Sequence, residues 1–236
     1  MRITTLSDTH GRHLELDDTY FPGGDLIIHA GDFLKFGTYK LEFRSFCTWL
    51  ELFHNYEKRL FIAGNHDIYV SEEPDLIKHM LKQNYRLVNY LQDEEYVYGK
   101  SANEIVKIYG SPYSPTMEGD HVFVEDRDSE MIRRKWNEIP EDTDILVTHS
   151  PPYGVLDHLI SFDEDLGNIG CRFLAERVKQ VKPKIHIFGH CHGEEPYHFD
   201  GETHYINAAI MDDKHFWHRN PITFDWNLDT NEIKFI

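Results

Sequence analysis

The 236-residue chain is 40% hydrophobic and 28% charged, the composition of a soluble globular protein with material for one sizeable core. With 41 Asp and Glu against 24 Lys and Arg, its formal charge is −17, which disfavours polymeric nucleic acid and anionic membranes as partners, because affinity for both rests on Lys and Arg. Cys47, Cys171 and Cys191 form no CxxC pair, no apolar run approaches membrane-spanning length, and Met1 leads into a strand pattern without a signal sequence, so the expectation is a reduced, cytoplasmic protein.

In chain order, short apolar runs read as strands at Arg2–Leu6, 26–30, 60–63, Ile145–Thr148 and Ile185–Phe188. Helical spacing marks 41–53, where Leu41, Phe43, Phe46, Trp49, Leu50 and Phe53 form an apolar stripe. Further helices are predicted at 74–81, 129–139 and Arg172–Val181, the last stopped by Pro183. Strands are also predicted at 97–98 and 105–109, while 118–126 reads as a loop. The C-terminal third, with strand-like runs at 203–207, Ile222–Trp226 and 232–236, suggests an added antiparallel portion. No repeat or Pro/Gly/Ser linker divides the chain, so residues 1–236 read as one α/β domain with buried, largely parallel central strands.

Each of the five principal strands ends in a polar cluster: SDTH (Asp8, His10), AGD (Asp32), GNHD (Asn65, His66, Asp67), THSPP (His149) and FGHCH (His190, His192). In open α/β folds functional groups gather at the carboxyl ends of strands, so these clusters are expected to meet. Alone, each reads as turn or cap residues. Leaving His66 and Asp67 aside, together they offer two carboxylates, an amide and four imidazoles, too many donors for one tetrahedral zinc and suited to two ions sharing a carboxylate. Asp8-x-His10 and His190-x-His192 are spaced so that both members of each pair point the same way from an extended segment, each pair gripping one site. Cys191 then points away and packs. His29 and His186 alternate with apolar residues inside strands and read as core histidines, whereas His54, His79, His198, His204, His215 and His218 lack a ligand-like pattern.

The ordered series DxH, GD, GNHD, THSPP and GHxH, from Asp8 to His192, resembles the signature of the calcineurin-like metallophosphoesterases. IYGSPYSP at 108–115 and the tail INAA…NPITFDW resemble the narrower branch of metallophosphoesterase-domain-containing proteins. The resemblance implies a four-layer α/β/β/α sandwich with two mixed β-sheets and a dinuclear centre at its edge. It implies that Asp8, His10 and His192 hold one divalent ion, that Asp32 bridges, and that Asn65, His149 and His190 hold the other. Mn, Fe and Zn all suit such mixed ligands.

The implied chemistry is in-line attack on phosphorus by a metal-bound hydroxide. His66 is the candidate general acid for the leaving oxygen, with Asp67 orienting its imidazole. Arg12, four residues past Asp8, is a candidate contact to substrate phosphate. Asn65 and His66 face the substrate, and Tyr113 and Tyr153 are candidate walls on which a base would stack. A small phosphodiester such as a cyclic nucleotide is the expected substrate. The alternatives are a phosphomonoesterase or protein phosphatase on the same core, or a non-enzymatic assembly module, which the complete ligand set disfavours. Oligomeric state is not readable.

Overall fold

The computed structural model describes residues 1–35, 37–99, 104–117, 121–162, 164–193 and 195–236. Its first half contains β1 (Arg2–Leu6), β2 (Gly24–Ala30), α1 (Lys40–Glu51), β3 (Tyr56–Ile62), α2 (Ile68–Glu72), α3 (Pro74–Asn84), β4 (Val88–Tyr90), β5 (Glu94–Gly99) and β6 (Ile105–Ser111). There follow β7 (Ser114–Pro115), β8 (Val124–Glu125), α4 (Glu130–Asn137), β9 (Ile145–Thr148), β10 (His158–Ser161), β11 (Glu164–Asn168) and α5 (Arg172–Val181). The chain closes with β12 (Ile185–Phe188), β13 (Tyr197–Phe199), β14 (His204–Asn207), β15 (Ile222–Trp226) and β16 (Ile233–Phe235).

Two six-stranded mixed sheets, ordered β16-β15-β1-β2-β3-β4 and β13-β14-β12-β9-β6-β5, pack face to face. Strand alternation decides which side chains meet. Ile3, Leu26, Ile28, Ala30, Leu60 and Ile62 point inward from the first sheet onto Ile108, Ile145, Val147, Ile185, Ile187 and Ile206 of the second. The outward positions meet helices. Phe33, Phe43, Phe46, Trp49 and Phe61 form an aromatic layer between α1 and the first sheet, with Phe33 and Phe46 stacked at 4.1 Å. Ile132, Trp136, Leu174 and Val178 cover the second sheet from α4 and α5. The result is the four-layer α/β/β/α order.

Local chemistry sets the helix ends. Ser129 Oγ accepts the Ile132 N–H at 3.1 Å and caps α4, an interaction worth about 1 kcal/mol. Lys182, at φ 52, ends α5 in a left-handed turn just before Pro183. Leu41 departs from the predicted stripe: it is 77% exposed, because α1 begins at Lys40 and its first turn overhangs solvent.

The C-terminal third is not wholly antiparallel. β15 pairs antiparallel with β1 and β16 antiparallel with β15, but β14 lies parallel beside β12. Its carboxyl end therefore faces the same edge as those of β9 and β12. Within 118–126, Val124–Glu125 pairs with Ser114–Pro115 instead of forming only a loop, and 118–120 lie outside the described residues.

Candidate metal centre

β1, β2 and β3 run parallel in one sheet and β6, β9, β12 and β14 run parallel in the other. Their carboxyl ends deliver all seven predicted ligands to one place. Donor atoms of Asp8, His10 and His192 lie within 4.8 Å of one another, as do those of Asp8, Asp32 and His149. Asn65 Oδ1 completes the second group, 2.9 Å from His149 Nε2 and 3.0 Å from His190 Nδ1. The GHxH histidines are thus divided between the two groups. The same-side expectation fails for His190 and His192, where His190 adopts φ 63 and the segment turns instead of extending, whereas Asp8 and His10 serve one group although their φ values, 57 and 41, are also left-handed.

Close backbone approach shapes the centre. Gly189 packs against the Ser7 and Asp8 side chains, where a Cβ would collide. Gly64 does more than let β3 turn: a Cβ there would overlap the Asp32 carboxylate and lie 2.7 Å from His149 Cε1.

The donor set fits divalent cations. Asp8, Asp32, Asn65 and His149 are almost fully buried. His10 Nε2 and His190 Nε2 are buried with no hydrogen-bond partner among the described residues, an arrangement that leaves lone pairs without compensation. His149 Nδ1 donates to the Ala30 carbonyl at 2.8 Å, and His192 Nδ1 donates to the Asp212 carbonyl at 2.8 Å. Those bonds turn each Nε2 toward the carboxylates, as metal-ligating histidines require.

Burial opposes the charged form of His149, but Asp32 and Asp8 raise its pKa to about 10. His192 is raised by Asp8. Both carboxyls are held below their usual range by these histidines, against the cost of burial. His10 and His190 are pushed down to about 3 by burial and stay neutral.

His66 and Asp67 part company. The His66 ring is one-third exposed and its Nε2 lies 4.0 Å from Asp32 Oδ2, so it borders the centre and reaches solvent. Asp67 is fully buried, and its carboxylate accepts N–H bonds from Asp32, Gly64 and Leu34 at 2.9, 2.8 and 3.0 Å. It ties β2 to β3 and is not placed to orient the His66 ring. Burial and the Asp32 charge push its pKa up, and the N–H donors pull it back.

The expected substrate contacts lie elsewhere. Arg12 pairs with Glu15 at 2.6 Å, donates to the His215 carbonyl and covers the Trp217 ring at 4.9 Å. Tyr113 packs against Phe123 and under Lys135, and Tyr153 lies under Arg172. Neither tyrosine lines the centre's cavity of about 230 Å³, whose walls beyond the ligands include His66, Met117, Leu159, Leu166, Asp213 and His215. A neighbouring cleft of about 670 Å³ shares His192 and Asp213 with it. A further cavity, of about 1020 Å³, lies beside Met1 and the β15–β16 turn and holds no candidate residue. His215, whose local sequence carries no ligand spacing, stacks on His10 at 4.3 Å. His29 and His186 are core residues, each bonded once, to Thr9 and Thr148. Cys191 is buried and packs.

The profile of the calcineurin-like phosphoesterase family matches residues 1–194. Metallophosphoesterase domain-containing protein 1 of Homo sapiens is 36% identical over 89% of this chain and 66% of its own length. The chain thus spans just under two-thirds of that relative. A UPF0046 protein of Caenorhabditis elegans is 35% identical over 99% of this chain and 84% of its own. Among solved structures, phosphopantetheinyl hydrolase from Mycobacterium tuberculosis shares the fold, with a TM-score of 0.59, 15% identity and 90% coverage of each chain.

Proposed function

This chain belongs to the calcineurin-like phosphoesterase family, and from that premise we propose that it is a two-metal phosphoester hydrolase acting on small phosphodiesters such as cyclic nucleotides. The observation that carries the reading is the convergence of two buried carboxylates, an amide and four histidines, two of which (His10 and His190) keep an unpartnered Nε2, beside the partly exposed His66. Two divalent ions in that set, of Mn, Fe or Zn type, would supply an activated water and neutralise phosphoryl charge.

The chain's own groups do the rest. Asp8 is common to both ligand groups and Asp32 stands beside it in the second, and Asn65 binds without adding charge to a site already anionic. His66, exposed where the cavity opens, donates its proton to the leaving oxygen. Its backbone N–H is fixed on Asp32 Oδ1 at 2.9 Å, which holds the residue at the edge of the centre while the ring stays outside the ligand set. The neighbouring cleft takes the second ester group, which a monoester lacks.

The formal charge of −17 favours small substrates over polymeric nucleic acid or membranes. Free, buried Cys47, Cys171 and Cys191 support a cytoplasmic site of action, and among the described residues no helix is long and apolar enough to cross a membrane. The test is hydrolysis of bis(p-nitrophenyl) phosphate, p-nitrophenyl phosphate and 2′,3′- and 3′,5′-cyclic nucleotides with Mn, Fe or Zn supplied. Faster turnover of the diesters is expected. Preference for the monoester would refute the diesterase assignment, and no turnover of any would refute the hydrolase reading itself.

A further inference from the structure

Beyond the seven ligands and His66, one more imidazole is built into the centre. His215 stands in the loop after β14, with its ring stacked on His10 at 4.3 Å and 12° and lying 6.0 Å from the His192 ring. It lines the same cavity as His66, whose ring meets the His10 ring nearly at right angles at 5.2 Å. The residue is solvent-exposed, and its ring meets the centre through these stacking contacts.

The backbone is shaped to hold it there. His215 has φ 58, and four ligands, Asp8, His10, Asp32 and His190, share that left-handed region at 57, 41, 55 and 63. Side chains rarely adopt this conformation unless their surroundings impose it, and such positions cluster at functional sites. Here the surroundings do impose it. Asp212 Oδ1 accepts the Lys214 and Phe216 N–H groups at 3.0 and 2.8 Å, and the Asp212 carbonyl accepts the His215 N–H at 3.0 Å. That same carbonyl accepts from His192 Nδ1, so one peptide oxygen orients a ligand and places His215. Arg12 donates to the His215 carbonyl at 2.6 Å while clamped by Glu15, and Asp213 Oδ2 accepts the Phe162 N–H at 2.7 Å.

We propose that His215 is a substrate-binding residue, its ring N–H donating to a phosphoryl oxygen from the side of the centre across His10 from His66. Arg12, Asp212 and Asp213 are positioning residues that act through it. This inference rests on the phosphoesterase reading, and deepens it by placing imidazole donors on two sides of one phosphate.

The test uses the full chain loaded with Mn, and measures inorganic phosphate binding by calorimetry beside the bound metal count, for wild type, His215→Ala and His215→Phe. Loss of one hydrogen bond to a charged oxygen predicts roughly tenfold or weaker phosphate binding in both variants, with the metal count unchanged. In activity, KM for bis(p-nitrophenyl) phosphate should rise in both. Phenylalanine keeps the ring on His10 without the donor. Wild-type phosphate affinity in His215→Phe would therefore show that His215 only packs, and loss of an ion in both variants would show that it is a ligand. Either result overturns the proposal. Absence of phosphate binding by the Mn-loaded wild type would refute the phosphoesterase reading as well, which separates the two failures.

Discussion

Gly64 is the most economical place to disturb the centre without removing a ligand. Its φ is not in the left-handed region, so alanine is tolerated by the backbone, and the whole effect of Gly64→Ala comes from the added methyl group. That carbon would overlap the Asp32 carboxylate and lie 2.7 Å from both the Asp32 nitrogen and His149 Cε1. Carbon contacts need at least about 3.4 Å for comfort, so Asp32 and His149 must retreat by several tenths of an ångström. Overpacking of this kind costs about 1–3 kcal/mol, or a fall in Tm of about 2–12 °C for a chain of this size. Because the displaced groups are ligands, bound metal should fall from two ions per chain toward one. Gly201→Ala is the control: φ there is 101 and nothing lies within 4 Å of the new carbon, so backbone strain acts alone. It should cost about 1 kcal/mol and leave metal binding intact. Calorimetry and elemental analysis read both effects. Wild-type metal content in Gly64→Ala would refute the packing argument.

Three other outcomes follow from the geometry. Asn65→Ala should empty part of the second ligand group, whereas His66→Ala should keep both ions and slow turnover about 10²–10⁴-fold, most for poor leaving groups; an ion lost from His66→Ala would mean its role is misassigned. Asp67→Ala leaves three buried N–H groups unmatched, a loss of about 3 kcal/mol or more, read as a Tm drop of at least about 6 °C. His186 is held neutral by burial, its pKa lowered to about 3; its contribution to stability is full above about pH 6.5 and is lost at about 1.4 kcal/mol per unit as pH falls from there toward 3. Thermal denaturation of wild type and His186→Gln between pH 7 and 5 should therefore show the shallower acid slope in the variant, and equal slopes would contradict it.

The ligand set was legible because each member sits one to four residues past a strand whose apolar run is unmistakable, and the sheet topology converts that local fact into proximity. Asn65 and His149 stand 84 residues apart and still meet at 2.9 Å. Backbone direction at those ends was not legible: left-handed φ at His190 parts it from His192, a pair that extended geometry would have kept together. Substrate contacts failed for a different reason. Arg12 has its partner three residues on, in Glu15, and a helical-turn spacing could have flagged that pair. Tyr113 and Tyr153 meet Lys135 and Arg172, contacts set by tertiary packing alone. His215 was invisible because its position depends on a bond to Arg12 across 203 residues and on β14 running parallel to β12.

The number of divalent ions bound per chain after equilibration with Mn and removal of excess, measured by elemental analysis, tests the central claim most directly. Two ions per wild-type chain, with binding sharply reduced in Asp32→Ala, is the predicted result. One ion or none in the wild type, or two retained without Asp32, would contradict a dinuclear centre built from these strand ends.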